Sequence, residues 1–210
     1  MPEISAQLVK QLRDKTGAGM MECKRALDEA KGDLAEAEVV LRKKGMSSAA
    51  KRQSRSAKQG QIGTYIHTGG QLGVMVEVNC ETDFVARTPD FQEFVKEIAM
   101  QIAAADPRFV RREEVPADVL DKEKEIARDR AIAEGKPEKI LDKIIEGRLA
   151  KYYEEVCLYD QPSIKDNAVT IDQMVKALNA KMQENIIISR FVRFKVGDSS
   201  AAPAAEPAEA

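Results

Sequence analysis

The sequence predicts an α+β protein. A small N-terminal bundle of three helices precedes a three-stranded antiparallel sheet packed with helices, including a long antiparallel helical hairpin. Three observations carry this prediction. Before residue 46, short segments with apolar residues at helical spacing are punctuated by glycines. Strand-like runs flank a Gly69-Gly70 hairpin signal, and a third run closes the folded part of the chain at Ile186–Val196. Between them, two long, highly charged helical segments are joined by Gly135-Lys136-Pro137. The implied units are an N-terminal three-helix domain over 1–46, a linker over 47–59, an α+β core over 60–198 and a disordered Ala/Pro/Glu tail over 199–210.

In the first unit Ser5 is a good N-cap, and Leu8, Val9 and Leu12 follow at helical spacing up to Thr16-Gly17. Gly17-Ala18-Gly19 is a tight turn, and Met20 starts a second helix. Gly32-Asp33 breaks it, and Asp33 caps a third helix that ends near Gly45. The arrangement resembles the ubiquitin-associated module. Met20 and Met21 are adjacent, so a helix places them about 100° apart and they do not both face inward. Methionine is adaptable enough to suit a partner groove, and equally suits core filling. Residues 47–59 are Ser, Ala, Lys and Arg apart from two Gln, and read as a linker or a polar helix. Lys51, Arg52, Arg55 and Lys58 suggest RNA contact, but no aromatic residue lies among them to stack on bases, and a solvated face reads better.

In the core, residues 60–67 are strand-like, and Gly73–Val78 reads as a buried strand because it is rich in valine. Pro89-Asp90 opens an amphipathic helix whose stripe is Phe91, Phe94, Val95, Ile98 and Ile102, ended by Pro107. Pro116 opens the first arm of the hairpin and Glu138 the second. Pro162 makes a turn, and Thr170 caps a further helix. In the closing strand Phe191, Phe194 and the valines break strict alternation, which implies a bulge or burial on both faces.

Composition narrows the function. The 210 residues carry 33 basic and 35 acidic side chains, a net charge of -2, against a protein dedicated to a phosphate backbone. Cys23, Cys80 and Cys157 are odd in number and contain no CxxC pair, which suits a reducing cytosol without a zinc site or disulfide framework. There is no signal-peptide core and no apolar run able to span a bilayer, so a soluble cytoplasmic protein is expected. Phosphate-loop, dinucleotide, nucleophile-elbow, zinc-helix and calcium-loop motifs are missing, and His67, the single histidine, has no Cys, Asp or Ser partner nearby. These residues point to binding rather than catalysis, with no cofactor or metal.

The sharpest local feature is Thr82-Asp83-Phe84-Val85, at a strand-to-helix corner. A large apolar residue beside a carboxylate there can project as a wedge. Alternatively, Phe84 closes the core and Asp83 makes a turn hydrogen bond. The corner alone favours this second reading, because apolar residues are usually buried.

Three separated segments change that balance: residues 8–24, Glu77–Arg87 and Phe191–Gly197. Together with Asp160-Gln161-Pro162 they closely resemble the translation elongation factor Ts family, the guanine-nucleotide exchange factors of elongation factor Tu. The resemblance covers nearly the whole chain except the tail. It implies that Thr82, Asp83, Phe84 and Val85 enter the G domain of elongation factor Tu, with Phe84 as the wedge, so that Mg²⁺ and GDP leave. It also implies a second contact through Leu12, Met20, Met21 and Lys24, and a weaker one at Ile164 and Lys165, where the sequence is less apolar than usual for the family. Longer members carry two core lobes and this chain one, so a homodimer or a two-to-two complex with elongation factor Tu is expected, with no nucleic acid or membrane required. The competing expectations are a ubiquitin-associated-like adaptor without exchange activity and an RNA-binding ribosome-associated protein.

Overall fold

The chain is described by a computed structural model covering residues 4–16, 18–52 and 55–198, with the side chains of 44–52 left aside. Gly17 and the tail from 199 lie outside the described residues.

Helix starts follow side-chain chemistry. The Leu8 amide donates to Ser5 Oγ (3.2 Å), opening α1 (Ala6–Thr16). After α2 (Met20–Glu29), the Glu36 amide donates to Asp33 Oδ1 (2.9 Å), and α3 (Leu34–Arg52) begins. This helix runs on past Gly45, so its end and the start of the expected linker are one continuous helix. The Ser, Ala, Lys and Arg content there supports a polar helix, and one interior Gly costs only about 1 kcal/mol. Leu12, Cys23, Ala26, Leu27 and Ala37 close a small core of their own beneath these helices.

The sheet has the expected order, β1 (Gln59–Ile66), β2 (Leu72–Cys80) and β3 (Ile187–Lys195), with β2 central and both pairings antiparallel. Gly69 and Gly70 take positive φ in the β1–β2 turn. The register places Arg190 opposite Glu77 but Ile188 opposite Val78, so Ser189 is the extra residue of a bulge. Burial differs from the sequence reading. Val74, Val76, Val78 and Cys80 enter the core, whereas Met75 lies half-exposed on the opposite face. An antiparallel sheet covered on one side gives period two where valine content suggested burial throughout.

The covering layer is α5 (Pro89–Ala105), whose Phe91, Phe94, Val95, Ile98 and Ile102 are buried as its stripe predicts. Gly63 allows the close approach: a Cβ there would stand 2.3 Å from Val95 Cγ1. At its far end α5 stops at Asp106, in the left-handed conformation (φ 48°), before Pro107. The hairpin arms are α6 (Ala117–Ala133) and α7 (Leu141–Val156), with Ala127, Ala131 and Leu141 buried and Arg148 of α7 donating to the Ala127 carbonyl (3.4 Å). Glu138–Ile140 forms a 3-10 turn, so the second arm starts as helix slightly later than expected. In α8 (Ile171–Met182), Thr170 and Gln173 form a reciprocal capping box. Among the described residues, no helix is long and apolar enough to cross a membrane.

Candidate functional site: the Thr82–Val85 corner

Between β2 and α5 the chain makes one further helical turn, α4 (Asp83–Ala86). Four residues have little intrinsic helical stability, because nucleation is costly, so this turn exists by virtue of its neighbours. Thr82 caps its start, accepting from the Val85 amide (3.4 Å). Thr88 closes its end: its hydroxyl donates to the Val85 carbonyl (2.8 Å) and accepts from the Phe91 amide (3.3 Å), so one side chain both ends α4 and starts α5. From below, the Cys80 thiol donates to the Thr82 carbonyl (3.0 Å). Burial, and then the charge of Glu184, push that thiol from 9.0 up to about 11, so it stays a protonated donor at neutral pH.

This geometry decides the orientation of each predicted residue. Val85 and Ala86 turn inward and pack against the main core. Phe84 turns outward and is 78% exposed. The alternative in which Phe84 closes the core is therefore wrong. Thr82 is exposed, and Asp83, half-exposed, makes a side-chain ion pair with Arg87 one turn on (2.8 Å). The corner thus holds one aromatic side chain out in solvent on a backbone fixed by hydrogen bonds at both ends of α4.

The Gln183–Asn185 loop between α8 and β3 also holds the corner. Glu184 Oε2 accepts from the Glu81 and Thr82 amides (3.1 Å each), and Oε1 accepts from the Thr82 hydroxyl (2.6 Å). The Asn185 amide donates to Glu81 Oε1 (2.7 Å), and the Asn185 side-chain amide donates to the Arg55 carbonyl (2.8 Å). Arg55 lies 3.6 Å from Glu81. Arg55 thus takes part in an intramolecular ion pair at the edge of the corner. A polar Gln-Glu-Asn turn between helix and strand carries no sequence signal for this role.

The other expected residues divide. Met20 and Met21 are both exposed, at 56% and 62%, and Lys24 is exposed beside them on α2. Leu12 is fully buried in the small core and stands as a packing residue beneath that face, not as part of it. Ile164 is exposed, and Lys165 pairs with Glu97 of α5. The loop carrying them is fastened by Gln101, whose Oε1 accepts from the Ile164 amide (2.8 Å) and whose Nε2 donates to Gln161 Oε1 (3.2 Å) and the Pro162 carbonyl (3.1 Å). Both Gln101 and Gln161 are buried. Helix α5 thus sets the spacing between this loop and the corner, about 15 Å along its axis at 1.5 Å per residue. His67 is exposed, with Nδ1 at 3.0 Å from the Tyr65 hydroxyl. All three cysteines are free and buried, and among the described residues no cluster of His, Cys, Asp and Glu is arranged to hold a metal.

Together these features define an α+β protein with a three-helix module and a core that presents one aromatic side chain on a braced corner. Comparison with known proteins identifies the group. The profile of the Elongation factor TS family matches residues 20–198. An elongation factor Ts of Solibacter usitatus is 66% identical over 212 residues, spanning 98% of this chain and 100% of the relative. Those of Heliobacterium modesticaldum and Anaeromyxobacter sp. strain K are 56% and 60% identical over 198 residues, each spanning 94% of this chain and 92% and 90% of the relative respectively. The chain belongs to the elongation factor Ts family, elongation factors of protein biosynthesis.

Proposed function

We propose that this chain is a cytoplasmic guanine-nucleotide exchange factor for elongation factor Tu, working by binding energy and not by bond chemistry. The observation that carries the reading is the 78% exposure of Phe84 on a corner hydrogen-bonded on both sides. Thr82, Asp83 and Phe84 dock against the G domain of the partner, with Val85 holding the corner to the core behind them, and Phe84 wedges between partner side chains near the Mg²⁺ and phosphate-binding loop. A protein that binds the nucleotide-free state more tightly must weaken nucleotide affinity by the same factor. Displacement of Mg²⁺ and GDP is that coupling, after which GTP can bind. Met20, Met21 and Lys24 form the second contact, with Ile164 and Lys165 as a lesser third. An adaptor using only the N-terminal module has no use for a projecting Phe84.

The outer face of the sheet supports the accompanying proposal of a homodimer, or a two-to-two complex with elongation factor Tu. Ile62, Ile66, Met75, Val192 and Phe194 lie exposed on it, and Phe194 is 71% accessible. Apolar neighbours in register on one solvated face gain from a cover. Light scattering of the purified protein is expected to give twice the chain mass; a strict monomer, alone and with the partner, refutes this assembly.

The test of function is release of a fluorescent GDP analogue from elongation factor Tu. This chain is expected to accelerate release, and Phe84→Ala to lose most of the acceleration while remaining folded. No acceleration by the unmodified chain overturns the exchange reading and returns the adaptor, to be tested by pull-down.

A further inference from the structure

The wedge corner is held by a residue more than a hundred positions later in the chain, and the chemistry of that contact assigns it a task. A threonine hydroxyl has one proton and two lone-pair positions. At Thr82 the proton goes to Glu184 Oε1 at 2.6 Å, which leaves a lone pair for the Val85 amide at 3.4 Å. Glu184 therefore orients the hydroxyl that caps α4. Its other oxygen gathers the Glu81 and Thr82 amides at 3.1 Å each, the last two backbone donors before that turn. A carboxylate accepting three hydrogen bonds at a helical start is held by charge-assisted contacts, stronger than neutral ones. The contact runs in both directions, since the Asn185 amide returns a bond to Glu81 Oε1 at 2.7 Å.

We infer that Glu184 is a positioning residue of the exchange site. Through Thr82 it sets the direction in which Phe84 leaves the corner, without itself needing to touch the partner. The inference rests on the corner reading proposed above and deepens it. Since α4 has too few residues to persist alone, loss of its capping geometry lets the Phe84 side chain sample directions that do not enter the partner. The partner then has to supply the ordering that the free protein otherwise holds.

A double-mutant cycle on nucleotide release from elongation factor Tu tests this, using the full chain as wild type, Glu184→Ala, Phe84→Ala and both together. Glu184→Ala is expected to slow release at saturating exchange factor by about tenfold, and by no more than Phe84→Ala does. In the Phe84→Ala background, Glu184→Ala is expected to have no further effect, because the clamp acts only through that side chain. General weakening of the protein would cost the same factor in both backgrounds. Glu184→Gln keeps the side-chain shape and one carbonyl acceptor, and is expected to be intermediate; it carries the test if Glu184→Ala does not fold. Losses that multiply, or a folded Glu184 variant at the wild-type rate beside a slow Phe84→Ala, overturn the clamp alone. Phe84→Ala at the wild-type rate overturns the corner reading and the clamp with it.

Discussion

Phe84 and Val85 are chain neighbours that face opposite ways: Val85 packs against the main core, while Phe84 stands 78% exposed. One helical turn, capped at both ends by threonine, sends adjacent side chains to solvent and to the interior. The pair separates binding from stability. Val85→Ala should lower stability by about 1 kcal/mol, the worth of two half-buried methyl groups. Phe84→Ala should change stability by less than about 0.5 kcal/mol, as surface substitutions do. Its loss as an anchor should cost about 2 kcal/mol or more in the complex, a roughly thirtyfold effect. Urea unfolding and nucleotide release, measured on both variants, check the contrast.

The N-terminal module should show the same division. Leu12 is buried in its core, so Leu12→Ala is expected to destabilise the module by about 2–5 kcal/mol. Met20 and Met21 are exposed, so replacing both with Ala should leave thermal unfolding nearly unchanged. The concentration needed for half-maximal nucleotide release should then rise about tenfold.

Two buried thiols make a pH prediction. Burial raises Cys80 and Cys157 from 9.0 to about 11. Between these values the unfolded chain releases protons that the folded chain retains, so the stabilising contribution is complete below about pH 9 and is lost as pH rises toward 11. Urea midpoints should fall across that window, and a Cys80→Ala Cys157→Ala variant should fall less. For the same reason neither thiol should react readily with alkylating reagents at neutral pH in the folded protein.

Gly63 supplies a test of the sheet–helix layer. A Cβ there would meet Val95 Cγ1 at 2.3 Å, and Val95 is buried and β-branched, with little freedom to move. Gly63→Ala should cost about 1–3 kcal/mol by overpacking. Circular dichroism at 222 nm during thermal unfolding reads this out. If the midpoint holds, the approach of α5 is looser than its geometry implies.

Much of the architecture was legible from local chemistry. Ser5, Asp33 and Thr170 name helix starts because each offers an oxygen to an amide three residues on. In β3 the uneven pattern of Phe191, Phe194 and the valines left a bulge and burial on both faces equally open; the register places a bulge at Ser189 and pairs Phe191 to Lys195 regularly. The true end of α3 was not readable, because a Ser/Ala/Lys/Arg stretch is equally compatible with helix and linker. The burial of Leu12 escaped notice because its place in the resemblance put it on the face, whereas its helical spacing with Val9 marks a core residue. Glu184 was invisible: its partners Glu81 and Thr82 are 103 and 102 positions away, and no local pattern encodes such a contact.

By itself, the amino-acid order determined the helix and strand periods, the caps, the hairpin turn and the motif set that marks the elongation factor Ts family. These are short-range properties, set by side-chain spacing and the backbone chemistry of a few residues. Tertiary structure alone decided which side of the corner Phe84 occupies, which face of β2 is covered, and that Glu184 braces Thr82. Those outcomes depend on where distant segments arrive, and packing in three dimensions selects among side-chain directions that local sequence leaves equal.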